Sequence, residues 1–336
     1  MIGPIVCDIQ GLRLTDEDRR RLTHPLVGMV ILFSRNYADP EQLSALCEEI
    51  HDLQPGLMIS VDHEGGRVQR FRDGFTQIPA MAEYGRMYMR SPERALKAAK
   101  AAGYVMAAEL RACGVDMTFA PVLDLNWGRS EIIGERAFSI DPKVVARLAD
   151  ALCQGMALAG MANCGKHFPG HGFVEADSHL DLPVDERGEA QIVATDVAPY
   201  DWMGVSLTSI MTAHVKYPAI DDQPASFSRR IVTDLLRDRL GFTGFVFSDD
   251  LSMKGAVSAG GIVERGQKAL QAGCDGLIVC NSPADADELL NGLVWNPTRD
   301  FVLRAAALAP KGMSLSMREL KKSALYCRAL REMRVN

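Results

Sequence analysis

Short apolar runs alternate with longer segments of helical periodicity from one end of the chain to the other. Most of these runs are continuously apolar rather than alternating, which is typical of parallel strands buried on both faces. Eight such runs, separated by helical segments, predict an α/β fold in which the strands close into a single (β/α)8 barrel, a TIM barrel. The predicted strands cover residues 4–9, 26–33, 57–61, 116–123, 162–167, 209–214, 244–248 and 276–279.

Start and stop signals for helices lie between these strands. A side chain that can cap a helix precedes a proline at Asp39-Pro40, Ser91-Pro92, Asp141-Pro142 and Ser282-Pro283. A glycine that can adopt the left-handed conformation at a helix end stands just before a strand at Gly114, Gly160, Gly241 and Gly273.

The series of strands and helices continues without a linker, a low-complexity tract or an internal repeat. One catalytic domain over residues 1–336 is therefore predicted. Residues 311–336 have a helical pattern with a basic face. Because charge runs are usually solvated faces, we expect this segment to form a C-terminal helical tail packed on the barrel.

The charge balance makes some classes of partner improbable. The 336 residues include 37 Lys and Arg against 43 Asp and Glu, which gives a formal net charge of -6. Nucleic acids and anionic membranes attract clustered positive charge. The sequence therefore favours a small-molecule partner, and neither a nucleic acid nor a membrane is expected.

Cysteine usage and the first residues favour the cytoplasm. The eight cysteines are scattered and form no CxxC pair, which is typical of reduced thiols. The N-terminus lacks a basic segment followed by a long apolar one, and no run of about 18 apolar residues follows. We therefore expect neither export nor a membrane span.

Polar side chains follow the predicted strands at the points where the strands end. In (β/α)8 barrels the active site lies at the carboxyl ends of the strands, so these side chains should converge on one rim and form the site. They are Asp62, His63, Glu64, Arg67 and Arg70 after strand three, Asp124 and Arg136 after strand four, Lys166 and His167 at strand five, His214 at strand six, and Asp249 and Asp250 at strand seven.

The fifth predicted strand leads into a long loop that contains Pro169, Gly170 and Gly172. A loop of this length is often a functional lid. Near its end, Asp177 and His179 could form a dyad in which the carboxylate orients an imidazole that gives and takes a proton. Spacing alone leaves a plain surface loop as an equal alternative.

The side chains of Asp249 and Asp250 should leave the end of strand seven on opposite sides, so only one is expected to face the centre of the barrel. A carboxylate at this position suits a nucleophile, a metal ligand or half of a structural salt bridge. The residues alone leave all three roles open.

Four segments of the chain form motifs. They are DHEGGRVQR at 62–70, GERAF at 134–138, the lysine–histidine loop from Lys166 to His179, and FSDDLSM at 247–253. Together they resemble glycoside hydrolase family 3, and in particular its single-domain bacterial branch, the β-N-acetylglucosaminidases (β-hexosaminidases) of peptidoglycan recycling. The four motifs together are highly specific, whereas one alone would be weak.

The resemblance implies a retaining exo-β-N-acetylglucosaminidase. Its substrate would be a peptidoglycan fragment such as N-acetylglucosaminyl-anhydromuramic acid, with or without its peptide. Asp249 is then the nucleophile that forms a covalent glycosyl-enzyme, and His179 with Asp177 is the acid/base dyad. The resemblance also implies that the terminal sugar is held by Asp62, Arg70, Arg136, Lys166 and His167.

The position of His214 at the end of strand six adds it to the predicted substrate-binding residues, as a sugar contact or a supporting residue. Neither a metal ion nor another cofactor is expected, and the protein is expected to be a monomer.

Other functions remain open at this point. Lys166, His167, His214 and Asp249 stand in an order that a metal-dependent barrel hydrolase could use, although strand one supplies no paired histidines. A histidine in place of a second carboxylate removes a negative charge from the approach of phosphate, which permits a β-N-acetylglucosaminide phosphorylase. A Schiff-base aldolase at Lys166, catalysis assisted by the substrate's acetamido group, and a non-catalytic sugar-binding protein are further alternatives.

Overall fold

All eight predicted strands are present in the structure, a computed structural model that describes residues 3–175 and 182–335. Two short antiparallel hairpins, which the apolar pattern does not predict, are added to them. In chain order the strands are β1 (Ile5–Asp8), β2 (Val27–Leu32), β3 (Met58–Val61), β4 (His63–Gly65), β5 (Val68–Gln69), β6 (Met117–Thr118), β7 (Cys164–Phe168), β8 (Ser209–Thr212), β9 (Lys216–Tyr217), β10 (Asp221–Pro224), β11 (Phe245–Phe247) and β12 (Leu277–Val279).

Helices occupy most of the connections between the parallel strands. A π-helix covers Arg230–Arg239. The α-helices are α1 (Asp16–Leu22), α2 (Pro40–Leu53), α3 (Met81–Arg90), α4 (Pro92–Ala112), α5 (Pro142–Leu158), α6 (Glu189–Ala194), α7 (Ala198–Met203), α8 (Lys254–Val257), α9 (Ile262–Ala272), α10 (Pro283–Gly292), α11 (Arg299–Ala307), α12 (Met317–Leu320) and α13 (Ala324–Glu332). Within the described residues, no helix combines the length and the apolarity needed to cross a membrane.

The parallel strands form two sheets that are hydrogen-bonded to each other at both junctions. One sheet has the order β12-β1-β2-β3-β6 and the other the order β11-β8-β7. At one junction the backbone N–H of Cys164 donates to the carbonyl of Ala120 over 2.7 Å, and at the other Ser248 donates to Gly276 over 2.8 Å. Isolated parallel bridges accompany both contacts. The result is an α/β fold of barrel-like form.

The fourth strand is shorter than predicted. The pattern predicts a strand over residues 116–123, whereas β6 spans Met117–Thr118. Pro121 has no N–H to donate to a neighbouring strand, and Val122 makes an isolated bridge to Lys166. The backbone nevertheless remains buried up to Asp124, so the polar residue still reaches the end of the strand layer.

The helix boundaries follow the predicted signals. Asp39 and Asp141 cap α2 and α5 by accepting the backbone N–H of the residues at 42 and 143 over 2.8 and 2.9 Å. Ser91 and Ser282 precede α4 and α10 but accept no such bond, so the proline at the first helical position is the feature common to all four starts. Left-handed φ angles between 69° and 115° occur at the four predicted stop residues, Gly114, Gly160, Gly241 and Gly273.

Helices α4 and α5 approach each other closely. A Cβ atom added to Gly103 would lie 2.1 Å from the carbonyl oxygen of Leu152, and one added to Gly155 would lie 2.0 Å from that of Lys100. Real Cβ atoms do not make such contacts. The two glycines therefore let the two helix backbones meet on the outside of the strand layer.

The C-terminal segment packs on α4. Tyr326 of α13 donates its hydroxyl to the buried carboxylate of Glu109 in α4. The same carboxylate accepts the backbone N–H of Thr76 over 2.9 Å. Leu320 and Met333 of the same segment are also buried. The tail is therefore docked on a helix of the outer layer, with its basic side chains toward solvent.

Candidate active site

A cavity of about 320 Å³ opens at the carboxyl ends of the parallel strands. This volume lies within the range of roughly 300–1,000 Å³ that small-molecule sites occupy. The residues Asp62, Arg70, Arg136, Lys166, His167, Asp249 and Asp250, all predicted at strand ends, line it, whereas Asp124 and His214 do not. The charged and polar lining residues are Asp62, Glu64, Arg67, Arg70, Arg136, Lys166, His167, His171, Asp249, Asp250 and Asn281.

Glu64 is the centre of a buried ion-pair network in this cavity. Its two carboxylate oxygens accept from Nε and Nη2 of Arg136, each over 2.8 Å. Lys166 Nζ lies 2.7 Å from Glu64 Oε1 and donates to Asp62 Oδ1 over 2.7 Å. Burial alone would raise the pKa of Glu64, but Arg136 and Lys166 hold that pKa well below its usual range. Glu64 is therefore charged, and it fixes both cations in place.

Lys166 is held as an ammonium. Burial would lower the pKa of Lys166, but the carboxylates of Asp62 and Glu64 raise it above its ordinary value. A lysine that forms a Schiff base needs the opposite shift, because only the neutral amine is nucleophilic. This environment therefore argues against the aldolase alternative.

Asp62 and Arg70 present hydrogen-bonding groups to the cavity. The pKa of Asp62 is lowered, since Lys166 and Arg70 together outweigh the effect of burial. Arg70 Nη2 lies 3.6 Å from Asp62 Oδ2. The buried Nε of Arg70 has no hydrogen-bond partner within the described part of the chain. A ligand oxygen would satisfy it, because buried N–H groups are almost always paired.

His167 is oriented by Asp124, which lies at the end of the fourth strand. The distance from His167 Nδ1 to Asp124 Oδ2 is 2.7 Å. Asp124 is completely buried on its side chain and also accepts the backbone N–H of His171 over 2.6 Å. Because Nδ1 is engaged by the carboxylate, Nε2 is the nitrogen of His167 that remains for the cavity.

Asp249 and Asp250 both line the cavity, which corrects the prediction that only one would face the centre. Strand β11 ends at Phe247, so the alternation of a strand no longer applies to the two aspartates. The Asp250 carboxylate accepts from Ser252 and lies 3.0 Å from the thiol sulfur of Cys280. Asp250 thus stabilises the turn, and Asp249 is the candidate nucleophile.

His214 lies outside the cavity lining, which favours the supporting role over the sugar contact among the two roles predicted for it. Its ring is buried and stacks on Phe227, with 5.4 Å between centroids and 14° between planes. Its Nε2 lies 3.0 Å from the backbone carbonyl of Asp250, and burial lowers its pKa. His214 supports the turn that carries the two aspartates.

Asp177 and His179, the predicted acid/base dyad, lie outside the described residues. The chain is anchored on both sides of them. Arg187 lies 4.0 Å from the ring centroid of Phe173, and its guanidinium binds Asp185 over 2.6 Å and Asp196 over 2.7 Å. This buried cluster joins the residues that precede the segment to those that follow it.

Known proteins resemble this chain over most of its length. The family model described as the glycosyl hydrolase family 3 N terminal domain matches residues 5–298. The chain belongs to this family. A β-hexosaminidase of Bordetella avium (strain 197N) is 58% identical over 298 residues, which are 88% of this chain and 85% of the relative. The protein is accordingly a glycoside hydrolase of the β-hexosaminidase type.

Solved structures extend the likeness to the whole fold. Native NagZ from Neisseria gonorrhoeae has a TM-score of 0.93 and 45% sequence identity, with coverage of 98% of this chain and 96% of that one. The same enzyme in complex with N-trifluoroacetyl-D-glucosamine also has a TM-score of 0.93 and 45% identity, and 98% and 97% of the two chains are covered.

Sequence reasoning gave no role to several residues that line the cavity of this family 3 enzyme, Glu64 above all. A signal was available for Glu64. Asp62 and Glu64 are two positions apart at the end of β3, and alternate residues of an extended chain point to the same side. His171 and the exposed Arg67 also line the cavity, but nothing in their spacing distinguishes them from ordinary loop residues.

The ligand set suggested for a metal-dependent hydrolase is not assembled in the described residues. His214 does not line the cavity that holds His167 and Asp249, and its ring stacks on Phe227. Over residues 3–175 and 182–335, no three side chains of His, Cys, Asp or Glu are grouped so as to hold a metal ion.

Proposed function

We propose that this β-hexosaminidase is a retaining exo-β-N-acetylglucosaminidase that removes terminal β-linked N-acetylglucosamine from peptidoglycan fragments. The observation that carries the proposal is the position of Asp249 in a cavity whose walls also present Asp62, Arg70, Arg136 and Lys166. A neutral sugar needs many hydrogen-bonding groups and a charged carboxylate near its anomeric carbon, and this cavity combines the two.

Asp249 attacks the anomeric carbon in this mechanism and forms a covalent glycosyl-enzyme. His179, oriented by Asp177, protonates the leaving oxygen in the first step and removes a proton from water in the second. The sugar's oxygens accept hydrogen bonds from the fixed cations Arg136 and Lys166 and from the oriented His167. Asp62 accepts from the sugar's hydroxyls. These four sugar-binding side chains need not reorganise before reaction, because ion pairs already hold them.

The cavity suits one terminal sugar. Its lining includes the apolar residues Phe119, Met211 and Ile278, which are all buried, with 0%, 4% and 3% exposure. A sugar that enters between the strand ends therefore meets an apolar wall and cannot extend further, which supports removal of the terminal residue from one end of the substrate.

The substrate, location and assembly state complete the proposal. The substrate is N-acetylglucosaminyl-anhydromuramic acid, with or without its peptide, in peptidoglycan recycling. The enzyme acts as a monomer in the cytoplasm, and residues 1–336 form one (β/α)8 domain with residues 311–336 as its helical tail. The complex of the Neisseria gonorrhoeae relative with N-trifluoroacetyl-D-glucosamine supports the choice of sugar, and the scattered free cysteines support a reducing compartment.

Turnover of an aryl β-N-acetylglucosaminide in the presence of a chelator tests the proposal. We expect the wild type to be active and Asp249→Asn to lose at least about a thousandfold in kcat, because the variant lacks the attacking carboxylate. Asp222→Asn is a matched control, since Asp222 is a surface residue of β10 with 86% side-chain exposure. Equal activity of Asp249→Asn and the control would refute the nucleophile.

Mass spectrometry with a fluorinated sugar distinguishes direct attack by Asp249 from assistance by the substrate's acetamido group. A covalent adduct on Asp249 is expected for direct attack, whereas assistance by the acetamido group would leave no adduct. Product analysis at high phosphate distinguishes hydrolysis from phosphorolysis, and free N-acetylglucosamine without its 1-phosphate is the expected result.

A further inference from the structure

A second cavity lies beside the active site, between the β1–α1 connection and the β12–α10 connection. Its volume is about 260 Å³. Asn281 lines both cavities. The side chains that give the second cavity its chemistry are Gln10, Asp18, Arg21, Arg35 and Asn281.

Asp18 supplies a buried acceptor that has no partner. The residue is 1% exposed. Its Oδ2 accepts the backbone N–H of Thr15 over 3.0 Å and the Thr15 hydroxyl over 2.7 Å, which caps α1. Its Oδ1 has no hydrogen-bond partner among residues 3–175 and 182–335. Buried carboxylate oxygens are normally paired, so this atom points to a donor that binds in the cavity.

The rest of the wall is balanced in charge. Arg21 is buried and binds Asp287 through Nε and Nη2 over 2.8 and 2.9 Å. Arg35 is paired with Asp8. Two cations and two carboxylates thus line the cavity, and the exposed amide of Gln10 adds both a donor and an acceptor. Such a wall favours a neutral ligand with N–H and C=O groups over a simple ion.

The boundary between the two cavities is formed by Arg35 and Asn281. Arg35 Nη1 donates to Asn281 Oδ1 over 2.9 Å. The same guanidinium lies 4.6 Å from the ring centroid of Phe33, which lines the active-site cavity. A group attached to the leaving side of a bound sugar can therefore cross this boundary and enter the second cavity.

We propose that the second cavity is an aglycone subsite that binds the peptide carried by the leaving group, with Asp18 Oδ1 accepting a peptide N–H. The proposal rests on the function proposed above and adds the place where the peptide binds. A peptide meets the requirements of the wall, because it is neutral along its backbone and alternates donors with acceptors.

Three substrates test the proposal on the intact enzyme. They are an aryl β-N-acetylglucosaminide, the disaccharide N-acetylglucosaminyl-anhydromuramic acid, and the same disaccharide with its peptide. The measured quantity is the ratio of kcat/KM with the peptide to kcat/KM without it. We expect a ratio of about ten for the wild type, the value of one hydrogen bond to a charged group. A wild-type ratio of one overturns the subsite.

Asp18→Asn reverses the polarity of the acceptor without a change in volume. The amide oxygen can keep both bonds from Thr15, and the amide NH2 then replaces Oδ1 as a donor. The ratio should fall to about one. Thr15→Ala is the matched control, since it weakens the same helix cap but leaves Oδ1 unchanged, and it should keep the ratio near ten. Equal ratios in Asp18→Asn and Thr15→Ala overturn the role of Asp18.

A second variant keeps the proposal testable if Asp18→Asn does not fold. Gln10 is exposed, so Gln10→Ala should fold, and we expect it to lower the ratio about threefold. An unchanged ratio in this variant counts against the subsite. Failure of the wild type to cleave the aryl glycoside and both disaccharides would instead refute the proposed function, so the two failures are distinguishable.

Discussion

Glu64 carries one negative charge between two cations that have few other partners. Arg136 uses two nitrogens on it and Lys166 uses one contact. The residue is 2% exposed, so water cannot replace its oxygens. Removal of one partner from such a buried network costs roughly 3–5 kcal/mol, because the remaining charges are left uncompensated.

The variant Glu64→Gln should therefore lose activity although Glu64 need not touch the reacting atoms. The amide keeps a single oxygen that can accept, its NH2 group faces a cation, and the lost carboxylate leaves an excess positive charge, so Arg136 and Lys166 move. We expect kcat/KM on an aryl β-N-acetylglucosaminide to fall about a hundredfold, or roughly 2.7 kcal/mol, with most of the loss in KM.

Glu83→Gln is the control for this change. Glu83 is 42% exposed on its side chain and pairs with Arg86 on the surface of α3, and surface pairs of this kind contribute about 0–1 kcal/mol. Its kinetics should match the wild type. A wild-type KM in Glu64→Gln would show that Glu64 does not hold the binding groups.

The candidate site was predicted unevenly from the sequence at this scale. Asp62, Arg70, Arg136, Lys166, His167 and Asp249 could be named because they belong to motifs that resemble the family, and all six line one cavity. For His214 the sequence left two roles open, because the end of a strand does not tell whether a side chain turns toward the cavity or packs under the next turn. The role of Glu64 as the shared partner of Arg136 and Lys166 was not predicted, because the pairing of buried charges depends on distances between strands.

At the scale of helices, the close packing of α4 on α5 depends on two glycines. Gly→Ala inside a helix normally stabilises it by about 1 kcal/mol. At Gly103 and Gly155 the added methyl would meet a backbone carbonyl at about 2 Å. We expect each substitution to lower the free energy of unfolding by at least about 1–3 kcal/mol, the usual effect of overpacking, as measured by urea denaturation.

Gly11→Ala serves as the comparison for the glycine variants. No atom lies within 4 Å of a Cβ built at Gly11, so its effect should be close to zero or slightly stabilising. If Gly103→Ala or Gly155→Ala unfolds at the same urea concentration as Gly11→Ala, the helices do not approach as closely as described.

Strands and helices were predictable to different degrees for physical reasons. The eight parallel strands stand out in the sequence because both of their faces are buried, and helix starts stand out because caps and prolines are local signals. The hairpins β4–β5 and β9–β10 are short and polar, so no apolar pattern marks them. The docking of α13 on α4 depends on the contact between Tyr326 and Glu109, which are distant in sequence.

The decrease in the free energy of unfolding at acid pH is a property of the whole molecule. The pKa values of Asp62 and Glu64 are lowered by the cations beside them. Their stabilising contribution is therefore fully present above their ordinary pKa values of 3.8 and 4.5 and is lost as the pH falls toward the folded-state values. We expect the free energy of unfolding to decline below about pH 4.5.

Comparison with Glu64→Gln isolates this contribution. The pKa values of Glu109 and Asp250 are raised by burial, so their protonation acts in the opposite direction and is common to both proteins. The stability difference between the wild type and Glu64→Gln, measured in urea from pH 7 to pH 3, should shrink as the pH falls. A difference that stays constant over this range would contradict the assigned shift.

The hydrogen bonds between the two large sheets also bear on aggregation. An open sheet edge is a template on which another chain can add a strand. In the described residues, each edge of the two sheets instead meets the other sheet, at Ala120 and Cys164 and at Gly276 and Ser248. Local separation at either place would expose unpaired backbone groups of apolar strands, which is the starting point of amyloid-like assembly. The protection of this enzyme against fibril formation thus depends on a few backbone contacts rather than on the extent of its apolar core.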